Sequence, residues 1–179
     1  MLRFETAIGE CALEWSDDGL THAYLPRSFP LDERPRTGGA ATSGSPPATA
    51  VSPPAFVLAA ADGIAALFAG EPRDLREVPL DLTGVEAFAA AVYAATRAVG
   101  PGEVCTYGDL ARAVGSPGAA QAVGRALGSN PFPIVVPCHR VLSSTGALHG
   151  FSAPGGIVTK RRMLEIERAP GFTQQSLFA

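Results

Sequence analysis

Ile134-Val135-Val136-Pro137-Cys138-His139-Arg140-Val141-Leu142 is the stretch on which the reading turns. Three β-branched residues in a row predict a buried strand. Pro137 has no backbone N–H to give a ladder, so the strand is expected to stop or reach an edge there. The chain then carries a thiol and an imidazole out of the core. A reactive thiol must become a thiolate, and a free cysteine needs a base or a positive neighbour to do so near neutral pH. His139 and Arg140 are one of each. Adjacent strand residues point to opposite faces, so the pair alone leaves a second reading open: an inert, buried cysteine beside a surface histidine.

The whole chain sets the bounds. At 179 residues with 46% hydrophobic side chains, it has ample length and apolar content for a folded core of one compact domain or two small ones. Its longest apolar runs fall short of a membrane span, and the N-terminus lacks a basic region leading into an apolar one. No membrane association and a cytoplasmic location are the expectation. Cys11, Cys105 and Cys138 are three, with no close pairing, so a disulfide framework is not expected. Net charge is −3, but it is unevenly spread. Residues 1–87 carry 6 basic and 13 acidic side chains, and residues 88–179 carry 8 and 4. A basic half joined to an acidic one is compatible with a nucleic-acid face on the second half; a chance division of surface charge is the plain alternative.

The N-terminal half predicts an α/β unit over 1–82. Residues 1–25 read as strands, with Asp17-Asp18-Gly19 as a hairpin turn. Cys11 and His22 lack the companions that a zinc site needs, so no metal is expected. Residues 33–54, rich in Pro, Gly and Ser, predict a mobile loop. Residues 56–69 have an apolar face at helical spacing (Val57, Ala60, Ala61, Ile64, Leu67, Phe68), with Gly70 to end it. Val78-Pro79-Leu80-Asp81-Leu82 reads as a short edge strand.

The second half, 83–179, predicts a mainly helical unit. One helix starts at Thr83 or Gly84 and ends at Gly100-Pro101-Gly102. A second covers 106–115, with Thr106 as N-cap and Asp109 favouring its positive end. After Ser116-Pro117-Gly118, a third spans Ala119 to Leu127. Two short helices around a tight turn form a helix-turn-helix pattern, winged-helix-like in outline. The third helix is nearly all Ala and Gly. Such a helix can lie close to a groove floor or pack closely on a neighbouring helix, and its residues alone do not choose.

The flanks of Cys138 narrow the reading. Upstream stands Gly124-Arg125-Ala126-Leu127-Gly128-Ser129-Asn130-Pro131-Phe132-Pro133; downstream are Gly150-Phe151-Ser152, Pro154-Gly155-Gly156 and Lys160 through Glu167. The Asn-Pro, Pro-Cys-His-Arg-Val and Gly-Phe-Ser elements occur together at matched spacing. From about Gly102 to Glu167 the chain closely resembles the O6-alkylguanine-DNA alkyltransferases, and more loosely before that. The resemblance implies DNA repair by single-turnover alkyl transfer from O6-alkylguanine, and from O4-alkylthymine, to Cys138. The partner would be double-stranded DNA, the protein a monomer, and no cofactor needed.

It also implies roles. Cys138 would accept the alkyl group, His139 would take its proton through a water, and Glu167 would orient His139. Tyr107 would protonate the guanine, and Asn130 would fix the turn presenting the cysteine. Val141, Phe151 and Ser152 would form the base pocket. Tyr107, Ala119, Gln121, Ala122, Gly124, Arg125 and Arg140 would face DNA, with the third helix in the minor groove. One departure stands out: Gln121 occupies the position where the family usually has an arginine that enters the base stack. Taken singly, the residues have plainer readings. Glu167, for example, could be a solvated helix residue paired with Lys160 or Arg168. Two other functions compete. A lesion sensor or regulator would use the same helices but would not need Cys138. A Cys-His-Glu hydrolase would want its nucleophile at a helix N-terminus and an oxyanion hole.

Overall fold

A computed structural model of the chain describes residues 1–26, 52–148 and 150–172. Most of the loop expected at 33–54 lies outside them. The chain opens with strands β1 (Leu2–Thr6), β2 (Gly9–Trp15) and β3 (Leu20–Tyr24) in an antiparallel sheet, order β1-β2-β3. The hairpin at Asp17-Asp18-Gly19 is as predicted. A Cβ on Gly19 would lie 2.7 Å from the Pro79 backbone, so only glycine lets the two segments meet. That approach makes 78–82 a single parallel bridge, Leu20 to Leu80, in place of the expected strand. The bridge is held by Leu20 N–H to the Pro79 carbonyl at 2.9 Å and Asp81 N–H to the Leu20 carbonyl at 2.8 Å.

Helix α1 (Ala55–Phe68) buries the face predicted for it. Gly70, at φ +88°, then ends it by donating to the Leu67 carbonyl while Glu71 donates to Ala66, a Schellman arrangement. Helix α2 (Ala87–Arg97) begins later than expected, because Gly84 turns the chain in the left-handed region first. Arg97 reaches back to the carbonyls of Leu75, Arg76 and Val78. Helix α3 (Tyr107–Ala113) has a complete capping box between Thr106 and Asp109. Gly115 and Gly118, both at positive φ, turn the chain into α4 (Ala120–Gly128). Helix α5 (Gly156–Ile166) completes the set. A short parallel pair joins β4 (Cys105–Thr106) to β5 (Val141–Leu142). One apolar core runs from Leu13 and Leu20 of the sheet, through Ile64 and Val92, to Val136 and Met163.

The strand expected before Cys138 does not form. Ile134, Val135 and Val136 are buried as predicted, but they lie in a turn closed by Val136 N–H to the Phe132 carbonyl at 2.8 Å. Ile134 sits at φ +77°, a region costly for a β-branched residue. A turn needs no strand partner to satisfy its backbone, so burial alone could not distinguish the two. No helix among the described residues is long and apolar enough to cross a membrane.

Candidate active site

Asn130 holds the turn that delivers the cysteine. Its side-chain oxygen accepts from Phe132 N–H at 2.9 Å, and its amide donates to the Val136 carbonyl at 3.0 Å. The two bonds span both ends of the turn, and with burial they over-determine the strained Ile134. Cys138 then opens a single 3-10 turn, Cys138–Arg140, capped by Pro137. Because this is a turn, the objection that adjacent strand residues diverge does not arise. Cys138 stands at the start of a helical turn, not at a strand end, so the placement that a Cys-His-Glu hydrolase would want is not excluded by the chain geometry.

His139 is fully buried. Its Nε2 lies 2.8 Å from Glu167 Oε1, and its Nδ1 has no hydrogen-bond partner among the described residues. Arg140 donates to the same carboxylate twice, from Nε at 2.8 Å and Nη2 at 2.9 Å, and from Nη1 to the Val99 carbonyl at 2.6 Å. Burial would raise the Glu167 pKa, but His139 and Arg140 outweigh it and bring the carboxyl down to about 2. Burial, joined by the charges of Arg140 and Lys160, lowers the His139 pKa in spite of the opposing pull of Glu167. Arg140 is the standing counter-charge, so Glu167 stays ionised while the imidazole stays neutral. Nε2–H then donates to Glu167, and Nδ1 is left with a lone pair able to take a proton.

Two sequence expectations change here. Arg140, expected at a DNA surface, is buried against Glu167; a bidentate pair in low dielectric holds it more firmly than a solvated phosphate would. Glu167 likewise is no solvated helix residue. The positive neighbour of the thiol is Lys160, which the sequence reading missed. Lys160 is fully buried on α5, donates to the Val141 carbonyl at 2.6 Å, and lies 5.9 Å from the Tyr107 ring centroid. Burial raises the Cys138 pKa; a hydrogen bond from Asn130 and the Lys160 charge oppose that rise. A signal for Lys160 was present: it shares a helical face with Met163, Leu164 and Glu167, all buried or half-buried.

A cavity of about 1040 Å³ opens over Cys138 between α3, α4 and residues 150–152. Tyr107, Gln121, Gly124, Phe151 and Ser152 line it. Burial raises the Tyr107 pKa, with the charges of Cys138 and Cys105 adding to it, so the phenol keeps its proton. A Cβ at Gly124 would lie 3.9 Å from that ring, an ordinary contact, so α4 could approach it equally with alanine there. Ser152 donates to the Gly128 carbonyl at 2.9 Å. Ala119 packs against the core at the start of α4, while its neighbour Ala120 lines the cavity. Ala122 is half-buried, and Arg125 is exposed outside the cavity. Val141 is fully buried, with its carbonyl engaged by Lys160.

A family model described as "6-O-methylguanine DNA methyltransferase, DNA binding domain" matches residues 87–169. The methylated-DNA–protein-cysteine methyltransferase of Mycobacterium tuberculosis H37Rv is 42% identical over 125 residues, 70% of this chain and 73% of that protein. The chain belongs to the methylated-DNA–protein-cysteine methyltransferase family. The member from Haemophilus influenzae is 43% identical over 103 residues, 58% of this chain and 56% of that protein. Among solved methyltransferase structures, M. tuberculosis OGT in complex with DNA superposes with a TM-score of 0.68 at 35% identity, covering 95% of this chain and 94% of that one. The O6-methylguanine-DNA methyltransferase of Pyrococcus kodakaraensis gives 0.60 at 25%, covering 93% and 96%. The methyltransferase family model spans α2 to the end of α5, which takes in every residue of the site described above.

Proposed function

We propose that this chain repairs DNA by moving the alkyl group of O6-alkylguanine, and of O4-alkylthymine, onto Cys138 in a single turnover. The observation that carries the reading is the polarity of the buried histidine: Nε2 is tied to Glu167, which leaves Nδ1 without a partner among the described residues, on the residue that follows the cavity-lining Cys138 in the chain. The Cys138 proton passes to Nδ1, through a water in the family's manner. The thiolate attacks the alkyl carbon, the carbon–O6 bond breaks, and its electron pair stays on the guanine. Tyr107 supplies a proton to the ring nitrogen as the base becomes neutral guanine. A thioether remains on Cys138, with no group able to reverse it.

A target atom inside a duplex is out of reach of Cys138, so the nucleotide must rotate out of the stack. We assign α3 and α4 as a helix-turn-helix, with α4 in the minor groove and the cavity as the receptor for the flipped base. Residues 83–179 would carry DNA binding and alkyl acceptance, with 1–82 as their support. Phe151 and Ser152 would bound the base, and Ala122, Gly124 and Arg125 would lie along the groove. Gln121 lines the cavity in a position to fill the gap left in the stack. A lesion sensor would have no use for an ordered Cys138–His139–Glu167 set. The deciding experiment is incubation with a duplex containing O6-methylguanine, followed by peptide mass analysis. A methyl adduct on Cys138 is expected; stable binding without an adduct would favour the sensor.

A further inference from the structure

Of the lysines and arginines among the described residues, Arg112 alone lines the cavity over Cys138. Three others nearby are engaged internally, Arg140 with Glu167, Lys160 with the Val141 carbonyl and Arg97 with the carbonyls of residues 75, 76 and 78, while Arg125 of α4 is exposed outside the cavity. On α4 the polar side chain that lines the cavity is the uncharged Gln121, beside Ala120 and Leu127. Arg112 stands in the last turn of α3, with 66% of its side chain exposed. It is also aimed. Asp109 accepts from Thr106 N–H at 2.8 Å and from Thr106 Oγ1 at 2.6 Å through one oxygen, and holds Arg112 Nη2 with the other. One carboxylate therefore sets both the start of α3, where Tyr107 lies, and the guanidinium at its end. A guanidinium has five N–H donors, and this contact uses one, so the remaining fork is available to an anion.

We propose that Arg112 is a phosphate-binding residue of the lesion groove, supplying from α3 the positive charge that α4 lacks at Gln121. The proposal rests on the alkyl-transfer reading for its substrate. Tyr107 and Arg112 are five residues apart on one helix, roughly 7.5 Å along its axis. Both line the cavity, so the phosphate that Arg112 meets is one of those flanking the flipped nucleotide. A pair with Asp109 does not compete with this role, because exposed ion pairs are weak and a phosphate can share the fork.

The test uses the full chain, as wild type, Arg112→Gln and Arg112→Lys, with a duplex carrying one O6-methylguanine. For Arg112→Gln, the slope of log affinity against log salt should become shallower by about 0.9, the value for one phosphate, and duplex repair should slow about tenfold relative to reaction with free O6-methylguanine base. Arg112→Lys should keep the slope. Replacing the phosphates flanking the lesion one at a time by a neutral methylphosphonate should at one position weaken wild type and leave Arg112→Gln indifferent. An unchanged slope in Arg112→Gln would overturn the proposal and make Arg112 only a helix partner of Asp109. Equal slowing on duplex and free base would overturn it too, as a fold effect. A wild type that binds but transfers no alkyl group would refute the transfer reading alone, since the salt slope measures binding.

Discussion

Replacing Glu167 with Gln tests the buried charge arrangement on which the chemistry depends. The carboxylate is 3% exposed and receives two bonds from Arg140 and one from His139. Glutamine has the same shape but no charge, and one of its ends is a donor facing other donors. Breaking a buried ion pair by removing one partner costs about 3–5 kcal/mol, because the survivor stays buried and uncompensated. The pH dependence leads to the same size. The Glu167 pKa falls from 4.5 to about 2 on folding. At 1.36 kcal/mol per unit, this corresponds to at most about 3 kcal/mol, because the His139 charge that contributes to the shift is absent while the imidazole is neutral. The folded value is the lower one, so that stability is fully present above the unfolded pKa and is lost as pH falls through about 2. Urea unfolding of wild type and Glu167→Gln at neutral pH should differ by about 3–5 kcal/mol, and the gap should close on acidification. A difference below about 1 kcal/mol, the size of an exposed pair, or a gap independent of pH, would refute the reasoning.

Lys160→Met should leave stability unchanged or raise it, since a buried ammonium is costly to desolvate, while moving the pH midpoint of Cys138 modification by iodoacetamide upward; an unmoved midpoint would remove Lys160 from the thiol's electrostatics. Asn130→Ala should destabilise by about 1–3 kcal/mol by leaving the buried Phe132 N–H unmatched and should slow alkyl transfer, and a purely kinetic or purely thermodynamic effect would mean that turn and nucleophile are uncoupled. Gln121→Ala should slow repair in duplex DNA more than reaction with free base, because only the duplex reaction must meet the few kcal/mol of extrusion, whereas Gln121→Arg should quicken the duplex reaction; equal effects on both substrates in single-turnover assays would show that Gln121 supports the fold and not the flipped state.

Much of this was legible in the sequence, for reasons that differ by element. The α1 face and its Gly70 stop, the Thr106–Asp109 cap and the hairpin at Gly19 are local, and local spacing predicts them. The stretch before Cys138 is different. A run of β-branched residues predicts burial, and burial is what it received, but the side-chain bonds of Asn130 to residues two and six positions on made a turn of it, and these leave no mark on the apolar pattern. Helix α5 has a buried face containing Lys160 and Glu167, two charged residues that lower its apolar contrast and obscure the pattern. Arg140 illustrates the limit most directly. Its place beside Cys138 in the chain gave no means of telling a phosphate ligand from a counter-ion, because Glu167 reaches it from 27 residues away.

Cys138 is proposed to receive the alkyl group because His139 Nδ1 takes its proton. The most direct measurement is the intact and peptide mass of the full chain after mixing with a duplex carrying one O6-methylguanine, for wild type and for Cys138→Ala. Wild type should gain the mass of one methyl in place of the thiol hydrogen, on the peptide containing Cys138 and once per molecule, while Cys138→Ala should gain nothing and still bind the duplex within about tenfold, or ~1.4 kcal/mol. A methyl group found on Cys105 or Cys11, repeated turnover without a stable adduct, or binding of the duplex by wild type with no adduct at all would contradict it.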